Sequence, residues 1–241
     1  MFLDEKYVKI MESYSLDIEN NKLQQISYYL NMLLNYPANL TAIKDKYIAF
    51  EYHVIDSILA AEKTDEFSNA KIIADLGSGG GIPGIIWAIL YPEKTFYLVD
   101  SIGKKTEALK KFYHELKLKN VNVINKRIEE FARENISKFD IVSSRALARA
   151  DIALEYSALA TKRNGYIALF KGPLYMEEEQ KFAKKASKLL KVKEEKIIKY
   201  NLFEEEQKDR YMIIFKKYDK TPLKYPRETG VPNKMPLGGS K

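Results

Sequence analysis

Residues 74–84 read "ADLGSGGGIPG" and hold five of the chain's eleven glycines, with an aspartate two places ahead of the first glycine and a proline inside. A β-branched run, "AKII" (70–73), comes before, and an apolar helical one, "IIWAILY" (85–91), comes after. Strand, glycine loop and helix in that order make a place where a ligand can approach bare backbone and where free helix N–H groups point outward. Pro83 suits a first helical turn, where its missing N–H costs nothing.

The spacing of Gly79, Gly81 and Gly84 also satisfies G-x-G-x-x-G, so glycines alone do not separate a dinucleotide from other ligands. Asp75 does. An acid at the end of the first strand can bind a cationic amino group, whereas a pyrophosphate gains nothing from it. Asp100 ends the next strand, "TFYLVD", where a carboxylate can accept both hydroxyls of a ribose. A nucleoside carrying a charged amino-acid tail satisfies both acids, and S-adenosylmethionine is that molecule. A third acidic stretch, "RIEE" (127–130), follows the strand "VNVIN" where the adenine would lie.

Outward from the loop, the two halves of the chain have different periods. Residues 20–36 place Leu23, Ile26, Leu30, Leu33 and Leu34 on one helical face, with asparagines available as N-cap and Pro37 as terminator. Residues 47–61 repeat the pattern through Ile48, Tyr52, Ile55, Ile58 and Leu59. From residue 70, short apolar runs alternate with helical stretches, which predicts a parallel, doubly wound α/β sheet. "KVKEEKIIKYNLF" and "RYMIIFKK", separated by "EEEQKD", predict a terminal antiparallel hairpin at the sheet edge. The expected division is a helical extension over 1–64, a ligand-binding α/β domain over 65–217 and a tail over 218–241.

The 241 residues contain no cysteine, which excludes disulfides, thiolate metal sites and a cysteine nucleophile; no metal is expected. The start lacks a signal-peptide apolar core, and no run approaches a membrane span, so a cytoplasmic protein is expected, by default a monomer. Net charge is +7, and residues 216–241 carry seven Lys/Arg against two Asp/Glu with four of the eight prolines. This segment reads as an extended basic tail, lying on the core or touching phosphates.

The strand "FDIVSSRA" ends in Ser143, Ser144 and Arg145, beside the expected methyl group. No Asn/Asp-Pro-Pro-aromatic turn of the amino-methylating enzymes is present there, and pyrimidine C5 methylation would need the absent cysteine. A ring nitrogen with a free lone pair, such as guanine N7, needs alignment and electrostatics rather than a base. His53 and Asp56 in "HVID" lie one helical spacing apart and read as packing or anchoring residues rather than catalysts; His114 reads as a surface residue.

In order along the chain, "NLTAI" (39–43), "HVIDS" (53–57), "DLGSGGGIPG" (75–84), "LVDSIGKK" (98–105), "LKLKNVNVINKRIEE" (116–130), "SSRAL" (143–147), "FKG" (170–172) and "YPRETGVPNKMPL" (225–237) resemble the RsmG family, also called glucose-inhibited division protein B. The resemblance implies a class I S-adenosylmethionine-dependent methyltransferase fold, Rossmann-like, acting on guanine N7 of 16S rRNA, naked or in a small-subunit particle. It implies cofactor contacts at Gly77, Ile82, Ile128, Glu129 and Arg145, beside Asp75, Gly79 and Asp100 from general geometry, with Arg145 positioning cofactor or acceptor. Candidate RNA contacts are Lys104, Lys105, Lys171, Tyr225, Arg227 and Lys234. Lys105 stands where the family has arginine, which keeps the charge and forfeits the bidentate fork. Competing readings are a non-catalytic RNA-binding module, methylation at another RNA position, and a nicotinamide-dependent oxidoreductase, the last disfavoured by Asp75.

Overall fold

The change of period near residue 70 is where the sheet begins. A computed structural model describes residues 4–203 and 208–239. Among them the strands are β1 (Ile72–Leu76), β2 (Thr95–Asp100), β3 (Val121–Asn125), β4 (Phe139–Arg145), β5 (Thr161–Lys171), β6 (Val192–Leu202) and β7 (Lys208–Lys217). They form one sheet in the order β3-β2-β1-β4-β5-β7-β6. β1 to β5 are parallel, joined through helices α6 (Gly84–Leu90), α7 (Gly103–Glu115), α8 (Ile128–Glu134) and α9 (Ala150–Ala158). The expected antiparallel pair is present, but its second strand turns inward: β7 lies between β5 and β6 and is antiparallel to both. Most of its acidic connection, residues 204–207, falls outside the described residues.

Burial explains which strands are central. β1 and β4 are covered on both faces and read as apolar runs, whereas β6, with its lysines and glutamates, takes the edge. The chain steps outward from β1 to β3 and then returns to β4 on the other side of β1. That reversal opens a crevice at the carboxyl ends of the strands, where Asp75, Asp100, Arg145 and Lys171 all sit.

The N-terminal helices pack into the same core as one face of the sheet. They are α1 (Glu5–Ser13), α2 (Asn20–Leu34), α3 (Lys46–Ala49) and α4 (Asp56–Glu62), followed by the short α5 (Asp65–Asn69). Two expectations need correction. The N-cap of α2 is Glu19 without a side-chain cap, and Asn20 and Asn21 lie inside the first turn. The passage over 46–62 is not a plain amphipathic helix, because a π-helical stretch, Phe50–Ile55, joins α3 to α4. Nearly all of residues 49–61 are buried, Tyr52 being half-buried, so this passage is a central helix rather than a surface one. The wider π turn re-phases the side chains after it, a device that recurs at functional sites.

The tail takes one of the two courses its composition offered, lying on the core. Beyond β7 the chain does not trail away but lies as a strap across α9 and against α10 (Gln180–Leu190), ending in the short helix α11 (Val231–Lys234). Thr221 Oγ1 donates to the carbonyls of Ala158 and Leu190, and Tyr225 is buried in the core that α9 and α10 share with β5 and β7. Asn233 Nδ2 reaches the Tyr156 hydroxyl at 3.0 Å, and Gly238 N donates to buried Asp151 at 2.9 Å.

Candidate active site

The glycine loop is held open from three sides. Gly77 N and Ser78 N donate to the Val99 carbonyl at 2.8 and 3.1 Å, Gly79 N donates to Asp100 Oδ2 at 3.0 Å, and the Tyr29 hydroxyl of α2 donates to the Gly80 carbonyl at 2.9 Å. Gly77 and Gly81 have φ of +72° and +102°, left-handed backbone that favours glycine. A Cβ on Gly77 would also lie 2.7 Å from Leu147 Cδ1, so the floor of the loop touches the turn after β4. Pro83 is the N-cap of α6 rather than a residue of its first turn, and Ile82 is half-buried beside it.

Asp75 fits the role its position suggests. It is 1 % exposed; Oδ1 accepts from Ser143 Oγ at 3.3 Å, while Oδ2 is buried without a hydrogen-bond partner. Burial pushes its carboxyl up to about 7. An orphaned carboxylate oxygen beside an open glycine loop is the environment that a cationic amino group relieves. Asp100, at the end of β2, spends one oxygen on Gly79 N and the other on Ile102 N at 2.9 Å, so it shapes the loop as well as facing the crevice. Each oxygen keeps a second lone pair for a ligand hydroxyl.

Glu129 is buried at the start of α8, and its Oε1 accepts from Gly230 N at 2.9 Å, which ties the strap to the candidate adenine position; Ile128 is half-buried beside it. Arg145 ends β4 and is gripped by the central helix. Its Nε lies 3.2 Å from Asp56 Oδ2, its NH2 donates to the Tyr52 carbonyl at 2.7 Å, and its NH1 is 3.4 Å from His53 Nδ1. Asp56 Oδ1 accepts from the Tyr200 hydroxyl at 2.8 Å, and His53 Nε2 meets Thr41 Oγ1 at 2.8 Å. Burial and the Arg145 charge press the His53 imidazolium down to about 3, so the ring is neutral at working pH. Ala146, next along, has φ of +51°, uncommon for a residue with a side chain.

Beside Arg145 opens a cleft of about 400 Å³ lined by Asp56, Arg145, Leu147, Phe170, Lys171, Glu179, Tyr200 and Arg210, among others. Lys171 donates to Glu179 Oε2 at 2.6 Å and to the Ala148 carbonyl at 2.7 Å, and Glu179 also accepts from Ala150 N at 2.7 Å. Lys171 is therefore committed inside the protein. Arg227 is paired too, its guanidinium forking onto fully buried Glu155 at 2.9 and 2.7 Å. Tyr225 is buried, whereas Arg227 keeps 25 % of its side-chain surface exposed. Lys234 and Lys104 are exposed, Lys105 is half-buried, and His114 is exposed as expected. Sequence reading missed Tyr200, Glu179 and Arg210, for which no local signal exists; for Asp56 and His53 the i, i+3 pair in "HVID" was the signal.

Sheet order, loop and acidic strand ends together define a class I S-adenosylmethionine-dependent methyltransferase. Solved structures share the fold: M. jannaschii TYW2 in complex with AdoMet (TM-score 0.54, 16 % identity, 68 % of this chain and 74 % of that one), and P. horikoshii TYW2 in complex with MeSAdo (TM-score 0.55, 12 % identity, 69 % and 63 %). Within that class the chain belongs to the GidB family, rRNA small subunit methyltransferase G, whose profile matches residues 22–208. It is similar to the ribosomal RNA small subunit methyltransferase G of Petrotoga mobilis, 49 % identical over 222 residues, covering 92 % of this chain and 98 % of that protein. The protein of that name from Thermotoga petrophila is 37 % identical over 228 residues, covering 95 % and 97 %.

Proposed function

We propose that the protein methylates N7 of a guanine in 16S rRNA, with S-adenosylmethionine as donor. The observation that carries the reading is that, among the described residues, both carboxylates lining the cleft beside Arg145 are ion-paired with cations of the same cleft rather than standing free as a base. Asp56 is bound by Arg145 and Tyr200, Glu179 by Lys171 and a backbone amide, and the neighbouring His53 is held on both ring nitrogens. A ring nitrogen with a lone pair needs no such base, and guanine N7 is the one the family resemblance implies.

The cofactor supplies an electrophilic methyl group on a sulfonium. Asp75 would hold its amino group, Asp100 its ribose, and Ile128 and Glu129 would border its adenine. Arg145 is always protonated and cannot act as a base. Fixed by Asp56 and the Tyr52 carbonyl, it presents a rigid positive edge between the loop and the cleft, so its work is alignment and exclusion of water.

The reading is tested by methyl transfer from labelled S-adenosylmethionine to 16S rRNA, naked and as small subunit, with the product nucleotide identified by mass spectrometry. Labelled 7-methylguanosine at one position is expected. Label in another nucleotide would move the acceptor, and cofactor binding with no transfer to either RNA would favour a non-catalytic module.

A further inference from the structure

Strand β7 brings into the cleft a cation that no other part of the site accounts for. Arg210 registers opposite Tyr200 in the β6–β7 ladder, so the two side chains rise from the same face of the sheet, and both line the cleft with Arg145 and Phe170. Its guanidinium carbon lies 5.2 Å from the centroid of the Tyr52 ring, within cation–π range. Its Nε is buried without a hydrogen-bond partner. Among the described residues no carboxylate stands within ion-pair distance of it, in contrast with Arg145, Arg149, Lys171 and Arg227.

The charge balance of the cleft says what Arg210 awaits. Among the described residues lining the cleft, Arg145, Lys171 and Arg210 face only Asp56 and Glu179, and those carboxylates are taken by Arg145 and Lys171. His53, packed alongside, is neutral. One positive charge with unfilled donors is left over, partly desolvated, in a cleft whose volume suits a nucleotide.

We propose that Arg210 binds a backbone phosphate of the RNA at the target nucleotide and thereby positions the base. This rests on the reading of the acceptor as RNA. The alternative, a fork onto the base edge, conflicts with the chemistry: an arginine bidentate on guanine takes O6 and N7 together, and N7 is the nucleophile whose lone pair must stay free. A phosphate uses the same fork and leaves the base edge open.

The test compares the full chain with Arg210→Gln and Arg210→Lys, using a 16S rRNA fragment titrated across KCl concentrations, single-turnover methylation of it, and calorimetric cofactor binding. For Arg210→Gln we expect cofactor affinity within twofold of the parent, RNA affinity lowered about five- to tenfold at low salt, and a slope of log K against log salt reduced by about 0.7–0.9, one phosphate contact. Arg210→Lys should restore the slope but only part of the affinity. An unchanged slope in Arg210→Gln overturns the proposal, and relaxed guanine preference at unchanged slope would assign the residue to the base edge instead. Loss of cofactor affinity with RNA binding intact would place it in the cofactor site, also against the proposal. If the parent protein itself neither binds nor methylates the RNA, the proposed function fails, which is a different result from failure of the variant alone.

Discussion

At the scale of single residues, the site is a set of charges sorted by whether they have partners. Arg145 is oriented by Asp56, a residue 89 positions earlier that sequence reading kept apart from the chemistry. Replacing Asp56 by Asn removes the counter-charge and leaves only a neutral oxygen for Tyr200 and Arg145. We expect kcat to fall about 10- to 100-fold, the cost of a misplaced positioning group, with a smaller change in KM for RNA; single-turnover rates check this. Asp75 makes the opposite case. With its carboxyl raised to about 7, the folded protein between pH 4 and 7 holds a proton that the unfolded chain has released, so this residue makes stability fall as pH rises through that window. Asp75→Asn should therefore stabilise the ligand-free protein by about 1–3 kcal/mol at pH 8 and by less at pH 5, read from urea midpoints. The same variant should bind S-adenosylmethionine at least tenfold more weakly and lose the rise in affinity expected of the parent from pH 6 to 7.5. A gain in stability with unchanged cofactor affinity would remove Asp75 from the binding site.

At the scale of elements, the glycine loop was legible because its requirements are local. Left-handed φ at Gly77 and Gly81 and a helix start after Pro83 are properties of a few consecutive residues. Gly77→Ala meets both a positive φ and the nearby Leu147 methyl. The leucine tip can move, whereas the backbone strain cannot be relieved without reshaping the loop. A loss of about 1–2 kcal/mol in stability and weaker cofactor binding are expected, and the double variant with Leu147→Ala should recover little of either. Full recovery in the double variant would make the contact, not the backbone, the cause. The helix over 46–62 was less legible. Its apolar period predicted one buried face, but the passage lies between the sheet and the other N-terminal helices and is buried almost all round. His53 and Asp56, read from the sequence as packing or anchoring residues, are inside the protein together with Ser57, which a single apolar stripe does not account for.

At the scale of the whole molecule, the tail shows how the fold makes a choice that composition left open. Its lysines, arginines and prolines fitted either a strap on the core or an arm for phosphates; Tyr225 fills a core and Arg227 neutralises fully buried Glu155. Truncation after Lys217 should thus cost at least about 3 kcal/mol of stability, chiefly by leaving Glu155 buried and unpaired, before any effect on RNA is considered. Urea unfolding of the truncated chain, alone and with Glu155→Gln, checks this: the added substitution should restore part of the loss, and a truncated chain as stable as the parent would refute it. Cofactor affinity should fall too, because Glu129 loses its Gly230 partner. The sequence by itself determined the alternation of strands and helices, the ligand loop and its two acids, because each depends on periodicity or on residues within one turn of chain. Only the tertiary structure decided which cations are spoken for. Tyr200 and Asp56 meet across 144 residues, and Arg227 and Glu155 across 72. A lysine or arginine looks the same in sequence whether its charge is answered across the fold, as at Lys171 and Arg227, or left open, as at Arg210.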